Sequence, residues 1–87
     1  MDALRLDGNA AAGLLREIFA MEVTTAVGTC GTCGTQNQVG AVHLYVSAGH
    51  VLRCPHCDSV LLRVVRTGSR VWVDPSGMRS MELRPLL

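Results

Sequence analysis

The chain has 87 residues, with eight basic side chains against seven acidic ones and a net charge of +1. That is one small domain with at most one appended element, too weakly charged for strong steering onto nucleic acid. No run approaches the roughly 20 apolar residues of a membrane span, and the first 20 residues lack a basic, then apolar, leader, so a cytoplasmic protein without membrane association is expected.

Asp7-Gly8-Asn9 offers capping oxygens, with Asn9 or Asp7 as N-cap. Ala11, Leu14, Leu15, Ile18, Phe19 and Met21 then recur at three- and four-residue steps, which predicts an amphipathic helix within residues 1–22. Arg16 and Glu17 fall outside the stripe. A helix of this length is marginal alone, so the stripe must dock. It packs on the chain's own sheet, or it captures a protein partner or a second protomer. In the second case Leu14, Leu15, Ile18 and Phe19 are the candidate partner-binding residues.

Residues 23–87 read as a β-domain. Val23 to Thr29 is a short β-branched run leading into Cys30, and Gly34 to Gln38 reads as a polar turn. Val39 to Ser47 alternates, with Val42, Leu44 and Val46 on one face and Ala41, His43 and Tyr45 on the other. Ala48-Gly49 turns the chain into a strand from His50 to Arg53. Ser59 to Arg66 is a stronger strand, and Thr67-Gly68-Ser69 folds it onto Arg70 to Asp74. Pro75-Ser76-Gly77 makes a further turn before a last strand from Met78 to Leu83. The expectation is one helix followed by five or six short antiparallel strands, in a single domain spanning 1–87.

All four cysteines lie in two Cys-x-x-Cys pairs, Cys30/Cys33 and Cys54/Cys57. A core this small supplies only about 3–5 kcal/mol, so a staple is expected. In a reducing compartment paired spacing favours a metal over disulfides. The two intervening residues turn the chain so that both sulfurs converge on one ion. Gly34 and Asp58 follow the pairs, where a left-handed residue frees backbone N–H groups for the thiolates. Four thiolates suit zinc best and iron next. Rubredoxin-type carriers hold iron on similar knuckles, but among aromatic and acidic residues, whereas here aromatics are scarce and the net charge is near zero. A closed four-thiolate zinc leaves no position for water, so its contribution is folding energy. A dithiol redox site would need one pair at a helix start in a βαβ setting, and neither has it.

His43, His50 and His56 lack an obvious carboxylate partner and read as surface imidazoles. Arg53, Arg63, Arg66 and Arg70 cluster on neighbouring hairpins, which raises a nucleic-acid reading. Arg63 and Arg66, three apart, face opposite sides of a strand, and Asp58, Asp74 and Glu82 dilute any patch. With Phe19, Tyr45 and Trp72 the only aromatics, no base-stacking platform is expected.

With the knuckles Cys-Gly-Thr-Cys-Gly and Cys-Pro-His-Cys-Asp placed, the chain resembles the short actinobacterial proteins of domain of unknown function 6510. The likeness includes Leu6 to Ala12, Thr24-Thr25-Ala26 and Leu52 to Cys57 followed by Val60 to Arg63, and it covers nearly the whole length. It implies a zinc-ribbon-like protein with no assigned activity, and an accessory or electron-transfer-related role beside an oxidoreductase. The combined expectation is a small α+β zinc ribbon with rubredoxin-like knuckles and an N-terminal helix. It holds one structural Zn²⁺ on Cys30, Cys33, Cys54 and Cys57 and acts as a non-enzymatic interaction module. Nucleic-acid binding and iron-based electron transfer are the alternatives.

Overall fold

A computed structural model describes residues 5–83. They form a small α+β protein of two antiparallel sheets and a short helical segment. The elements in order are β1 (Arg5–Asp7), a 3-10 turn (Gly8–Ala11), α1 (Ala12–Phe19), β2 (Val27–Cys30), β3 (Gln36–Gln38), a second 3-10 turn (Val39–Ala41), β4 (His43–Val46), β5 (His50–Arg53), β6 (Val60–Thr67), β7 (Arg70–Asp74) and β8 (Met78–Glu82). One sheet has the order β1-β4-β5-β6-β7 and the other β3-β2-β8. The strands are more extensive than a simple ribbon.

Three differences from the sequence reading have local causes. Residues 5–7 are not helical: Leu6 pairs with Leu44, so β1 is an edge of the larger sheet. The helical segment therefore begins at Gly8, with Asp7 at its N-cap position and Asn9 inside its first turn. Asp7 precedes the 3-10 turn without a side-chain cap bond, and Ala11 stands at the N-cap of α1. Gln36–Gln38, read as a turn, is a strand because its peptides pair with β2, Asn37 opposite Gly28. Polar composition hid it; the pairing is made by backbone.

The helix ends at Ala20 in the left-handed region, φ 58°. Its stripe turns inward. Leu15 is wholly buried and joins Leu44, Leu52, Leu62 and Val64 in the core, with Leu14, Ile18 and Phe19 packed half-buried against them. Leu15 is thus unavailable to a partner, contrary to the docking reading of the stripe. Its burial is worth about 1.5–3 kcal/mol. On the rim Glu17 and Arg66 form a 3.5 Å ion pair between helix and β6.

Sheet alternation is incomplete: in β6, the longest strand, adjacent Leu61 and Leu62 are both buried, and every residue of β7 is exposed. Val42 and Leu44 are buried, but Val46 is 37% exposed because β4 ends there in the turn to β5. Strand β8 returns from the far side of the larger sheet to pair with β2, Thr29 opposite Ser80 and Cys30 opposite Met78. It carries the 75–77 turn onto the first knuckle, where the Gly31 N–H donates to the Gly77 carbonyl at 2.9 Å. Both cysteine pairs are therefore held against the junction of the two sheets. No described helix is long and apolar enough to cross a membrane.

Candidate metal centre

Each knuckle is built by the same hydrogen bonds, offset by 24 positions. The Cys30 N–H donates to the Thr35 carbonyl and the Gly34 N–H to the Cys30 carbonyl; the Cys54 N–H donates to Ser59 and the Asp58 N–H to Cys54, all at 2.9–3.0 Å. Closing so tight a turn requires a left-handed residue at its fifth position, just after the second cysteine. Gly34 has φ 78° and Asp58 φ 65°. Glycine adopts this freely, and aspartate is among the few side chains that tolerate it.

The turns aim N–H groups at the first sulfur of each pair. Thr32 and Cys33 donate to Cys30 Sγ at 3.4 and 3.5 Å, and His56 donates to Cys54 Sγ at 3.4 Å. These first cysteines are buried, whereas Cys33 and Cys57 are exposed. The knuckles face each other, with Cys30 Sγ 3.6 Å from Cys57 Sγ and Cys33 Sγ 3.6 Å from Cys54 Sγ. All four sulfurs lie within 4.8 Å of one another. A tetrahedral ion about 2.3 Å from each sulfur sets them about 3.8 Å apart, inside that range. The donor set and its spacing fit a single metal ion.

The electrostatics are prepared for thiolates. Burial pushes the Cys54 thiol up, but bonds from the Cys57 and His56 N–H groups, the Thr35 hydroxyl and Cys33 outweigh it and bring it down to about 6. Cys30 is also held low, first by the Cys33 N–H and against burial. At Cys57 the Ser59 hydroxyl and N–H pull downward, but burial and the neighbouring Cys30 and Cys33 sulfurs push the net shift upward. Crowded sulfurs without a cation cannot all ionise, so the charge gathers on the donors with most N–H bonds.

Two second-layer residues escaped the sequence reading. The Thr35 hydroxyl lies 3.0 Å from Cys33 Sγ and 3.5 Å from Cys54 Sγ, bridging the knuckles. Ser59 bonds Cys57 with its hydroxyl and its N–H. Both stand two positions after the second cysteine of their pair, and that repeated hydroxyl was visible in the sequence. His56 is exposed at the turn with only its N–H toward sulfur.

The arginines do not form one patch. Arg53 donates to the Asp58 carbonyl at 2.9 Å and its guanidinium lies 5.8 Å from the Tyr45 ring centre, so it braces the second knuckle. Arg66 engages Glu17, and Arg63 stands opposite Asp74 across β6 and β7.

The family model described as "Family of unknown function (DUF6510)" matches residues 2–85. No curated protein and no solved structure matches the chain.

Proposed function

The chain belongs to this family of unknown function, and we propose that it is a non-enzymatic zinc ribbon, stapled by one structural Zn²⁺ and serving as an accessory module for protein interaction. The approach of four cysteine sulfurs to within 4.8 Å carries the reading. Cys30, Cys33, Cys54 and Cys57 fill a tetrahedral shell, and zinc bound there supplies folding free energy. A reducing, cytoplasmic setting keeps the thiols available. The cavity between the two sheets, about 10 Å³ and lined by residues such as Val39, Leu52 and Leu61, is far below the roughly 300 Å³ of a small-molecule pocket. Within the hairpin cluster Arg53 and Arg66 are engaged inside the protein and Arg63 stands opposite Asp74, which weighs against the nucleic-acid alternative.

Elemental analysis combined with native mass spectrometry tests the proposal. One zinc per chain in a colourless protein, lost in Cys54→Ser, is the expected result. Iron with visible absorption after iron-replete purification would replace it by the electron-transfer reading, and a folded protein without bound metal would end both. Duplex or single-strand binding that weakens steeply with salt would move the chain to the nucleic-acid class.

A further inference from the structure

The last strand of the larger sheet is unlike the rest of the surface. All five residues of β7 are exposed, and they include Val71 at 41%, Val73 at 36% and Trp72, the chain's single tryptophan, at 59%. β7 pairs with β6 on one side only and closes the strand order, so its other side is a sheet edge. Edge strands usually carry a bulge, a proline or an inward charge that blocks further pairing. The β6–β7 register runs unbroken from Arg63–Asp74 to Thr67–Arg70, and the strand holds no proline.

The order of residues says what fits this edge. The strand reads Arg70-Val71-Trp72-Val73-Asp74, apolar at its centre with opposite charges at its ends. Laid antiparallel against a second copy with Trp72 opposite Trp72, it sets Val71 against Val73 and Arg70 against Asp74, each twice. No other register of the strand on itself aligns both charge pairs. The backbone agrees. Gly68 has φ 59° and opens a two-residue hairpin loop, which makes Thr67 and Arg70 the first hydrogen-bonded pair. Trp72 and Asp74 then also direct their peptide groups toward β6, and those of Val71 and Val73 face outward. Those outward groups are the ones that the Trp72-centred register joins, while the tryptophans meet at a non-hydrogen-bonded position, where side chains come closest. Arg70, Trp72 and Asp74 share one face, so the aromatic pair is flanked by both ion pairs.

We propose that β7 is a self-complementary interface through which two copies of this chain pair antiparallel, on a two-fold axis at Trp72, into one continuous ten-stranded sheet. The inference names the surface and partner for the interaction-module reading and rests on it. A single five-residue edge makes a small interface, so the dimer forms with a dissociation constant on the order of 10 µM.

Sedimentation equilibrium of the metal-loaded full chain, with Trp72 emission followed on dilution, tests this. The wild type is expected to be a dimer whose emission shifts to longer wavelength as it dissociates. Arg70→Asp and Asp74→Arg each place like charges opposite one another and weaken association about 10- to 100-fold. Mixing the two variants restores a heterodimer, and R70D/D74R restores the homodimer. Asp74 also accepts the Ser76 N–H at 3.0 Å, so metal content and circular dichroism are recorded for every variant to separate lost pairing from lost fold. Val71→Pro removes an outward N–H and is expected to be monomeric with its metal retained. A wild type monomeric at about 1 mM, well above that dissociation constant, or a mixture no tighter than the single variants, overturns the proposal. Either result leaves the metal-stapled reading standing, because metal content is measured separately.

Discussion

Gly77 lies hard against Val60: a β-carbon at Gly77 would overlap the Val60 carbonyl oxygen and sit 2.9 Å from the Leu61 α-carbon. The contact is backbone against backbone, so no side chain can swing aside. It docks the turn before β8 on the start of β6, and the Gly77 carbonyl also receives the Gly31 N–H. One glycine thus ties the two sheets together beside the first knuckle.

Gly77→Ala is therefore expected to destabilise the metal-loaded protein by about 3 kcal/mol or more, because the turn must move off β6. Gly13→Ala is the control. Gly13 is exposed in α1 with nothing within 4 Å of an added β-carbon, and the change is expected to stabilise by about 0.5–1 kcal/mol. Urea unfolding of both variants checks the pair. A Gly77→Ala midpoint equal to wild type would mean that this contact is not a constraint.

At Asp58 the left-handed backbone is held by a residue that adopts it at a cost. Asp58→Gly is expected to raise stability by about 0.5–1 kcal/mol with metal content unchanged. Asp58→Val, β-branched at φ 65°, is expected to lower it by about 1–2 kcal/mol and to loosen the metal. The Arg53 bond goes to the Asp58 carbonyl, so neither substitution removes it. Thermal unfolding and competition with a chromophoric chelator read the two effects.

What the sequence revealed was local. The knuckle turns, including the left-handed Gly34 and Asp58, and the hairpin at Gly68 follow from a few adjacent residues. The pairings that depend on distant chain were hidden. β1 is three residues long and exists because Leu44 offers it a partner. β2 joins β8, Gly28 opposite Met81, across more than 50 intervening positions that no periodicity reports. The helix stripe was read correctly as apolar, but its period could not say whether Leu15 meets a sheet or a partner. Gly77 looked like an ordinary turn glycine, since close approach is a property of what lies opposite.

Acid is expected to compete with metal at this site. Cys54 titrates at about 6, below the ordinary thiol value of about 8.5. Its contribution to folded-state stability is complete above that ordinary value and is lost as pH falls through about 6. Cys30, also depressed, acts in the same direction. Cys57 is raised and works oppositely, its contribution fading as pH rises through its folded value. Divalent metal needs the thiolates, so loading is expected to be full near pH 8 and to fall with acidification, each ion released as protons are taken up. Release to a metal indicator across about pH 4 to 8 checks this. A flat profile would exclude thiolate ligation.

Helix α1 offers a separation of core from surface. Leu15 is fully buried, while Ile18 is half-buried on the same cluster. Leu15→Ala is expected to cost about 2–5 kcal/mol through the cavity it leaves. Ile18→Asp places a carboxylate at the margin of that cluster and is expected to cost about 1–3 kcal/mol. If the stripe serves only the chain's own sheets, Ile18→Asp lowers the urea midpoint while metal-loaded protein below the transition keeps its assembly state. If α1 instead holds a second chain, the same substitution separates the chains at unchanged stability. Sedimentation and unfolding of one sample decide between them, and the half-burial of Ile18 against the core favours the first outcome.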